Sequence, residues 1–345
     1  MKFGVIVSQR MVDRSAAEPF GKLYDYVREM EDLGYDLAWL GHHRFSRTTA
    51  FGGDEAGEPS APLIVLSALL ARTRRMQMCT NIFLLPAYHP LEIAEELNTL
   101  SEISANRFVL GAGIGYKPDE FENVGWGFKS RAKRFEECLE ILRLAQTGEP
   151  FSFHGDHFQI TDCTVVPPPL GGRPTPLWIG AVSEPAMLRA ARMGDGWLIS
   201  FAEHLVELQA KVARYKALAA EHGRPSTLCL MRDLHIARTR AGLDPAWLPN
   251  VVKVWRSYAG LGAEADRDAL SSEVMFGGKS VTLEEFTPNR AIVGDPGDCA
   301  RELERIRELI DPEYLLLTPT GVPDLERHRD ELRLFAREVL PHFRT

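Results

Sequence analysis

The chain has 345 residues, of which 45% are hydrophobic and 26% are charged, a composition typical of soluble globular proteins. The formal net charge of −8 argues against a nucleic-acid-binding protein, because such proteins usually carry a basic face. No apolar stretch approaches the roughly 18 residues that a membrane-spanning helix needs. The five cysteines are far apart and form no CxxC pair, so we expect no disulfide framework or structural zinc site, and a cytoplasmic protein with reduced thiols.

Apolar segments alternate with amphipathic segments along the whole chain. Each apolar segment is hydrophobic throughout, as in parallel strands that are buried on both faces. Eight strand–helix pairs in this length favour a closed barrel over an open sheet, so the predicted fold class is α/β, a TIM-like (β/α)8 barrel with insertions. In chain order the predicted pairs are strand 2–8 and helix 19–33, strand 36–41 and helix 61–72, strand 76–84 and helix 90–104, strand 107–113 and helix 130–146, strand 176–181 and helix 184–193, strand 196–200 and helix 203–222, strand 227–237 and helix 297–310, and strand 314–318 and helix 323–340.

Two stretches interrupt this alternation within a barrel that we expect to form one domain over residues 1–345. Residues 149–176 predict a small extension hairpin followed by a proline-rich lead into the fifth strand. Residues 238–288 form a long insertion after the seventh strand. Insertions at the carboxyl end of a barrel often cover the active site, so we interpret this one as a probable lid.

Two adjacent histidines follow the second predicted strand, in the stretch LAWLGHHRF. Because catalytic groups of such barrels follow the carboxyl ends of the strands, His42 and His43 are expected at the mouth. A metal site would need about three converging ligands, and only His235 stands out as a third, so we predict no metal site. The absence of GxSxG argues against a serine hydrolase of the α/β type.

The other strand ends carry mostly small and hydrogen-bonding residues, which suits a large planar cofactor that brings its own chemistry. The stretch GAGIG at 111–115 lacks the third glycine of the dinucleotide fingerprint, but its small residues let a flat ring approach the backbone. Ser183 precedes a predicted helix and can either bind a phosphate there or simply cap the helix. Arg290 follows the long insertion and is a candidate partner for an anionic substrate.

Several longer motifs resemble the bacterial luciferase-like monooxygenases over nearly the whole chain. They are MKFGV at the start, GYDLAWLGHHRF (34–45), TNIFLLPAYHPLEIAEELNTLSEISANRFVLGAGIGYKPDEF (80–121) and PLWIGAVSEPAMLRAARMGDGWLIS (176–200). The resemblance implies a TIM-like barrel that takes reduced FMN from a separate flavin reductase. It then uses O2 to oxygenate a small organic substrate through a flavin peroxide. A homodimer is also common in the family.

The resemblance also assigns residues. The first histidine of the family's pair matches His42, beside the reacting flavin ring, and with Arg290 it forms our catalytic prediction. The bulge after the third strand, often with a non-proline cis peptide behind the flavin, matches Asn81 and Ile82. The predicted cofactor-binding set is Asn81, Ile82, Gly113, Tyr116, Ala181, Val182, Ser183 and Glu184.

Two departures leave other activities open. Gly41 stands where luciferase has an acidic residue, and Ile114 stands where luciferase has an arginine that helps to hold the phosphate. The GAGIGY version also occurs among relatives that use a deazaflavin, coenzyme F-420, as a hydride carrier. A deazaflavin-dependent oxidoreductase and a non-catalytic flavin-binding protein are therefore the alternatives to an FMN-dependent monooxygenase.

Overall fold

The protein forms a barrel of parallel strands surrounded by helices, as seen in a computed structural model that describes residues 1–8, 11–45, 61–260, 269–322 and 324–344. The strands are β1 (Lys2–Ile6), β2 (Leu37–Leu40), β3 (Gln77–Thr80), β4 (Phe108–Ala112), β5 (Phe151–His154), β6 (Gln159–Cys163), β7 (Leu177–Gly180), β8 (Gly196–Ile199), β9 (Thr227–Ile236), β10 (Ala291–Gly294) and β11 (Tyr314–Thr318). Eight of them pair in the order β1–β2–β3–β4–β7–β8–β9–β11, and β11 pairs back to β1. The predicted TIM-like barrel is confirmed.

The helices follow the strands along the chain. They are α1 (Gly21–Leu33), α2 (Pro62–Leu70), α3 (Pro90–Ser104), α4 (Asp119–Glu122), α5 (Arg131–Ala145), α6 (Glu184–Met193), α7 (Leu205–Glu221), α8 (Trp247–Gly260), α9 (Ala269–Met275), α10 (Leu283–Phe286), α11 (Pro296–Leu309) and α12 (Leu325–Glu338). Within the described residues, no helix is both long and apolar enough to cross a membrane.

The predicted boundaries differ from the observed ones at several strand ends. The third strand ends at Thr80 and not at residue 84, because the chain bulges out of the sheet there and only Phe83 returns to bridge to Ala112. The predicted extension hairpin is confirmed as the antiparallel pair β5–β6. Strand β10 was not predicted; its four residues, just after the predicted insertion, are recognisable only through their pairing with the long β9.

Side chains fill the barrel, so the functional site has to lie above this layer. The inner cluster consists of Ile6, Leu37, Trp39, Cys79, Val109, Trp178, Leu198, Cys229, Tyr314 and Leu316. The neighbouring strands β3 and β4 come unusually close at Gly111, where a Cβ atom would lie 1.9 Å from the Thr80 carbonyl oxygen. Only glycine permits this approach.

The insertion after β9 packs against the barrel through a second apolar cluster. Helix α8 buries Trp247, Val251 and Trp255 completely, and they pack in one cluster with Phe201 and Ala291. Residues 261–268 of the predicted lid lie outside the described residues. Closure of the insertion over the site stays a prediction.

Candidate active site

His42 lies directly after β2, at the carboxyl end of the barrel, and is buried. Its Nδ1 accepts a hydrogen bond from the Leu84 backbone N–H at 3.3 Å, and its Nε2 lies 3.2 Å from the Tyr88 hydroxyl. Because Nδ1 accepts, the neutral ring carries its proton on Nε2 and donates it to Tyr88. Burial, reinforced by the nearby positive charges of Arg44 and His43, lowers the pKa of His42 to about 3. His42 is therefore neutral at pH 7 and suits a hydrogen-bonding role better than that of a proton acceptor.

His43 differs from His42 because its Nδ1 faces a carboxylate and not a backbone N–H. Its Nδ1 lies 3.1 Å from Oε1 of Glu120, and its Nε2 lies 3.2 Å from the Tyr116 hydroxyl. Since an ionised carboxylate only accepts hydrogen bonds, Nδ1 carries the proton and the lone pair of Nε2 faces Tyr116. Glu120 thus fixes both the tautomer and the orientation of the His43 ring.

Glu120 itself was missed by the sequence analysis. It lies in the short helix α4, where its neighbours Asp119 and Glu122 are exposed while Glu120 is buried. Its Oε1 also accepts the backbone N–H of Arg44 at 2.7 Å, and its Oε2 is buried with no partner among the described residues. No local signal in DEFE separates this carboxylate from the two solvated ones.

Arg44 lies against the same group of side chains. Its guanidinium carbon lies 4.2 Å from the centre of the Tyr88 ring, and Nη1 donates to the Ala87 carbonyl oxygen at 2.5 Å. The Tyr88 ring also stacks on Phe83. One fixed cation and two histidines therefore lie together at the mouth.

The residues predicted behind the cofactor ring form a small, flat floor. The peptide bond between Asn81 and Ile82 is cis, where the family resemblance implies such a bond. The Ile82 side chain lies on Gly113 and Gly180, at which a Cβ atom would be 2.5 and 2.6 Å from it. Asn81 reaches across the barrel and donates to the Met231 sulfur at 3.0 Å.

The floor fits a flat ring system. Among the described residues, a Cβ atom at Gly41 would meet only the Asn81 carbonyl oxygen, at 3.8 Å, so those residues leave space above that strand end. Half-buried Ile82 offers an apolar surface, and the hydroxyls of Tyr88 and Tyr116 lie near the histidines. An apolar surface with a few hydrogen-bonding groups at its edge is what a flavin or deazaflavin ring requires. That such a ring binds to Asn81, Ile82, Gly113 and Tyr116 stays a prediction.

The predicted phosphate loop follows β7. The Ala181 carbonyl oxygen accepts a hydrogen bond from the buried Trp197 indole at 2.9 Å, which ties the loop to β8. Ser183 occupies the N-cap of α6, but its side chain makes no capping bond, so its hydroxyl is not used by the helix. Pro185 removes one N–H from the first turn, and the exposed Glu184 forms an ion pair with Arg214.

Arg290, the predicted partner of an anionic substrate, lies in a different environment from the one expected at an open mouth. It is buried, and its guanidinium donates to the Ser271 hydroxyl at 3.1 Å and to the carbonyl oxygens of Phe286 and Pro288. These contacts join α9 and α10 to β10. Its pairing with an anionic substrate stays a prediction.

A second polar group lies on β9 and was not singled out from sequence. Asp233 is two residues beyond Met231, on the same face of the strand, and is completely buried. Its Oδ1 accepts hydrogen bonds from the hydroxyls of Thr318 and Thr320. Burial raises the pKa of Asp233 to about 6, although the two threonines oppose the shift. Throughout the part of the chain that the structure describes, no cluster of three or more His, Cys, Asp or Glu residues could hold a metal ion.

The fold and this mouth define a class of protein: a TIM-like barrel whose carboxyl end presents a histidine pair beside a flat floor of small residues. A family model described as luciferase-like monooxygenase matches residues 1–311, and the chain belongs to that family. The family resemblance read from the motifs is confirmed. Members of this family are oxidoreductases that act on small molecules, and they include monooxygenases.

The proteins similar to this chain differ in their cofactor: some use coenzyme F-420 and others use FMN. An F-420-dependent glucose-6-phosphate dehydrogenase of Amycolatopsis mediterranei is 30% identical over 96% of this chain and 98% of its own length. The FMN-bound oxygenating component of a 3,6-diketocamphane monooxygenase of Pseudomonas putida is 18% identical, covers 99% of this chain and 98% of its own, and has a TM-score of 0.72. Uncharacterized proteins of Mycobacterium tuberculosis and Mycobacterium bovis are 35% identical over 171 residues, which is 49% of this chain, and the chain spans 58% of their length.

Proposed function

We propose that the protein transfers a hydride between a hydroxyl-bearing carbon of a small molecule and the deazaflavin coenzyme F-420. The observation that carries this proposal is the His43–Glu120 pair. Oxidation of an alcohol releases a proton as well as a hydride, so the site needs a proton acceptor at the reacting hydroxyl. Neutral His42, with its low pKa and its Nδ1 already accepting a hydrogen bond, does not provide one.

His43 provides the acceptor. The coenzyme, when bound, supplies the two-electron acceptor that takes the hydride from carbon. The lone pair of Nε2 takes the hydroxyl proton, the hydroxyl becomes a carbonyl, and the buried Glu120 carboxylate stabilises the imidazolium through Nδ1. Tyr116 lies at hydrogen-bonding distance from Nε2, so the substrate hydroxyl displaces it or passes the proton through it. Reduction of a carbonyl follows the same steps in reverse.

The relative from Amycolatopsis mediterranei supports this choice, since it matches nearly the full length of the chain and its name specifies coenzyme F-420. An imidazole oriented by a buried carboxylate is also a recurring arrangement for proton transfer.

The test compares His43→Ala and Glu120→Gln with a matched variant, His222→Ala, at the exposed histidine that directly follows α7. We expect His43→Ala to lower the rate of coenzyme reduction by about 10²–10⁴-fold, the usual contribution of a positioned acid or base. Glu120→Gln should lower it less, and His222→Ala should leave it unchanged. Coenzyme affinity, measured in parallel, reports on folding. Unchanged turnover in a folded His43→Ala protein would exclude the mechanism.

A second candidate is the FMN-dependent monooxygenase, which would receive reduced FMN from a separate reductase. It is favoured by the description of the family model and by the buried, neutral His42, which offers a hydrogen-bonding group in an apolar setting with Phe83. Titration with oxidised FMN, reduced FMN and coenzyme F-420, followed by measurement of oxygen uptake, distinguishes the two candidates. Oxygen uptake coupled to an oxygenated product would support the monooxygenase, whereas coenzyme F-420 reduction without oxygen uptake would support hydride transfer.

A further inference from the structure

We propose that Arg44 binds an anionic group of the substrate, a carboxylate, phosphate or sulfonate, beside the His43–Glu120 pair. The proposal deepens the function proposed above and rests on it for the position of the reacting hydroxyl. It assigns the substrate to the class of small hydroxylated acids.

Contacts with described residues hold Arg44 in place, and these contacts leave most of its guanidinium available. The backbone N–H is fixed by Glu120 Oε1, Nη1 donates to the Ala87 carbonyl, and the flat face lies on the Tyr88 ring. The side chain is half-buried. Of its five N–H groups, one has an acceptor among the described residues, so the planar edge that binds carboxylates and phosphates in a bidentate manner remains free within that part of the chain.

Among the residues that the structure describes, no carboxylate pairs directly with the charge of Arg44. Glu120 is the nearest candidate, but its Oε1 accepts from the Arg44 backbone and from His43 and not from the guanidinium. Within the described ranges, no carboxylate forms a salt bridge with Arg44. A partly desolvated cation is costly without a counter-charge. An anionic ligand group would supply that counter-charge.

Other arginines near this end of the barrel are already engaged. Arg232 and Arg290 are buried and donate to backbone carbonyl oxygens. Arg131 lies on the Phe128 ring and donates to the Gly115 carbonyl oxygen. Arg44, in contrast, adjoins both histidines, and its charge helps to depress the pKa of His42. An anion bound there would place a neighbouring hydroxyl close to His43.

The experiment measures ligand preference directly, by calorimetry on the coenzyme-loaded protein. The probes are matched pairs of one acid and one neutral analogue: lactate and propane-1,2-diol, 4-hydroxybutyrate and butane-1,4-diol, and glycerol 3-phosphate and glycerol. We expect at least one acid to bind tenfold or more tightly than its neutral partner. In Arg44→Gln that preference should fall to within twofold, and Arg44→Lys should keep part of it, because lysine retains the charge but not the planar fork.

The matched control is Arg72→Gln, at an exposed arginine that also stacks on a tyrosine, Tyr24, at 4.6 Å. It should keep the full preference. The proposal is overturned if no acid binds more tightly than its neutral partner, or if Arg44→Gln keeps the preference.

A further arm separates substrate from cofactor as the source of the anion. Affinities of Arg44→Gln for FMN and riboflavin, and for coenzyme F-420 and its phosphate-free core, should match those of the unaltered protein. Selective loss of the phosphorylated forms would assign Arg44 to the cofactor and overturn the substrate assignment. Acid preference without coenzyme reduction by any probe would contradict the proposed hydride transfer while leaving the Arg44 site supported.

Discussion

Two adjacent histidines, His42 and His43, make different hydrogen bonds because their surroundings differ. The His42 ring is enclosed by Phe83 and Tyr88 and accepts a backbone N–H, so burial removes its tendency to bind a proton. One residue further on, the Nδ1 of His43 faces a buried carboxylate, and the lone pair of its Nε2 faces the Tyr116 hydroxyl. The difference arises from contacts with residues 83–88 and 116–120, so it depends on the tertiary structure and not on the HH motif.

Asp233 gives a residue-scale prediction for the pH dependence of stability. Its pKa is raised in the folded protein, from 3.8 to about 6, so the folded state holds this proton more tightly than the unfolded state. The resulting stabilisation is fully present below pH 3.8, is lost as the pH rises through 6, and amounts to about 3 kcal/mol. We expect the free energy of unfolding of the unaltered protein to fall by about that amount, relative to Asp233→Asn, between pH 4 and pH 7.

Urea unfolding of both proteins across this pH range measures the difference between their free energies of unfolding. The titration of other groups affects both proteins equally and cancels from this difference. His42 and His328, whose pKa values are lowered to about 3, act in the opposite direction in both proteins. Parallel stability curves for the two proteins would show that Asp233 does not titrate in this range.

At the scale of elements, the predicted phosphate site at the start of α6 depends on Ser183 more than on the backbone N–H groups of the helix. Ser183 is at the N-cap, as the sequence indicates, yet its hydroxyl is not bound to the helix. Pro185 leaves fewer free N–H groups, and Glu184 adds a negative charge that Arg214 offsets. The serine hydroxyl therefore becomes the more important of the candidate phosphate ligands in this loop.

We expect Ser183→Ala to weaken the binding of FMN or coenzyme F-420 by about 10- to 150-fold, since a hydrogen bond to a charged group contributes about 1.5–3 kcal/mol. Riboflavin, which has no phosphate, should bind the variant and the unaltered protein equally well. Fluorescence titration measures both affinities. An equal loss for FMN and riboflavin would place the phosphate elsewhere and give Ser183 a role in the shape of the loop.

The barrel strands could be predicted from sequence because each is a short, continuously apolar segment followed by a helix. The positions of His42 and Ser183 followed from the strand ends alone. Glu120 and Asp233 could not be predicted as site residues, because what distinguishes each of them is burial against partners 77 and 85 residues away. Arg290 was predicted to bind a substrate because it follows the insertion. Its burial among α9, α10 and β10 depends on tertiary contacts, so the sequence did not indicate it.

At the scale of the whole molecule, the insertion and the barrel share apolar contacts. The Trp255 ring of α8 packs at a tilt against the rings of Phe201, which follows β8, and Phe286, which ends α10. Because this one side chain links the two parts, we propose that they unfold together as one domain.

Trp255→Ala should lower the free energy of unfolding by about 3–5 kcal/mol, as expected for removal of a buried tryptophan. The unaltered protein should unfold in one transition, with α8 amides exchanging no faster than those of the barrel strands. Trp255→Phe, which keeps an aromatic ring, should cost clearly less. Early hydrogen exchange confined to α8 would instead identify the insertion as a separately folding part, consistent with a mobile lid.

The long strand β9 allows the chain to leave the barrel and rejoin it at one place. Its last residues pair with β10, so the Ala237 N–H bonds to the Gly294 carbonyl oxygen at 3.1 Å, and α11 begins two residues later. A chain joined directly from residue 237 to residue 295 would still connect the strand to its helix as in an uninterrupted barrel. The segment between residues 237 and 295 therefore enters and leaves the barrel at neighbouring positions. Related barrels could lose it, or acquire a different one, and so change what they recognise without altering the frame that holds the histidines.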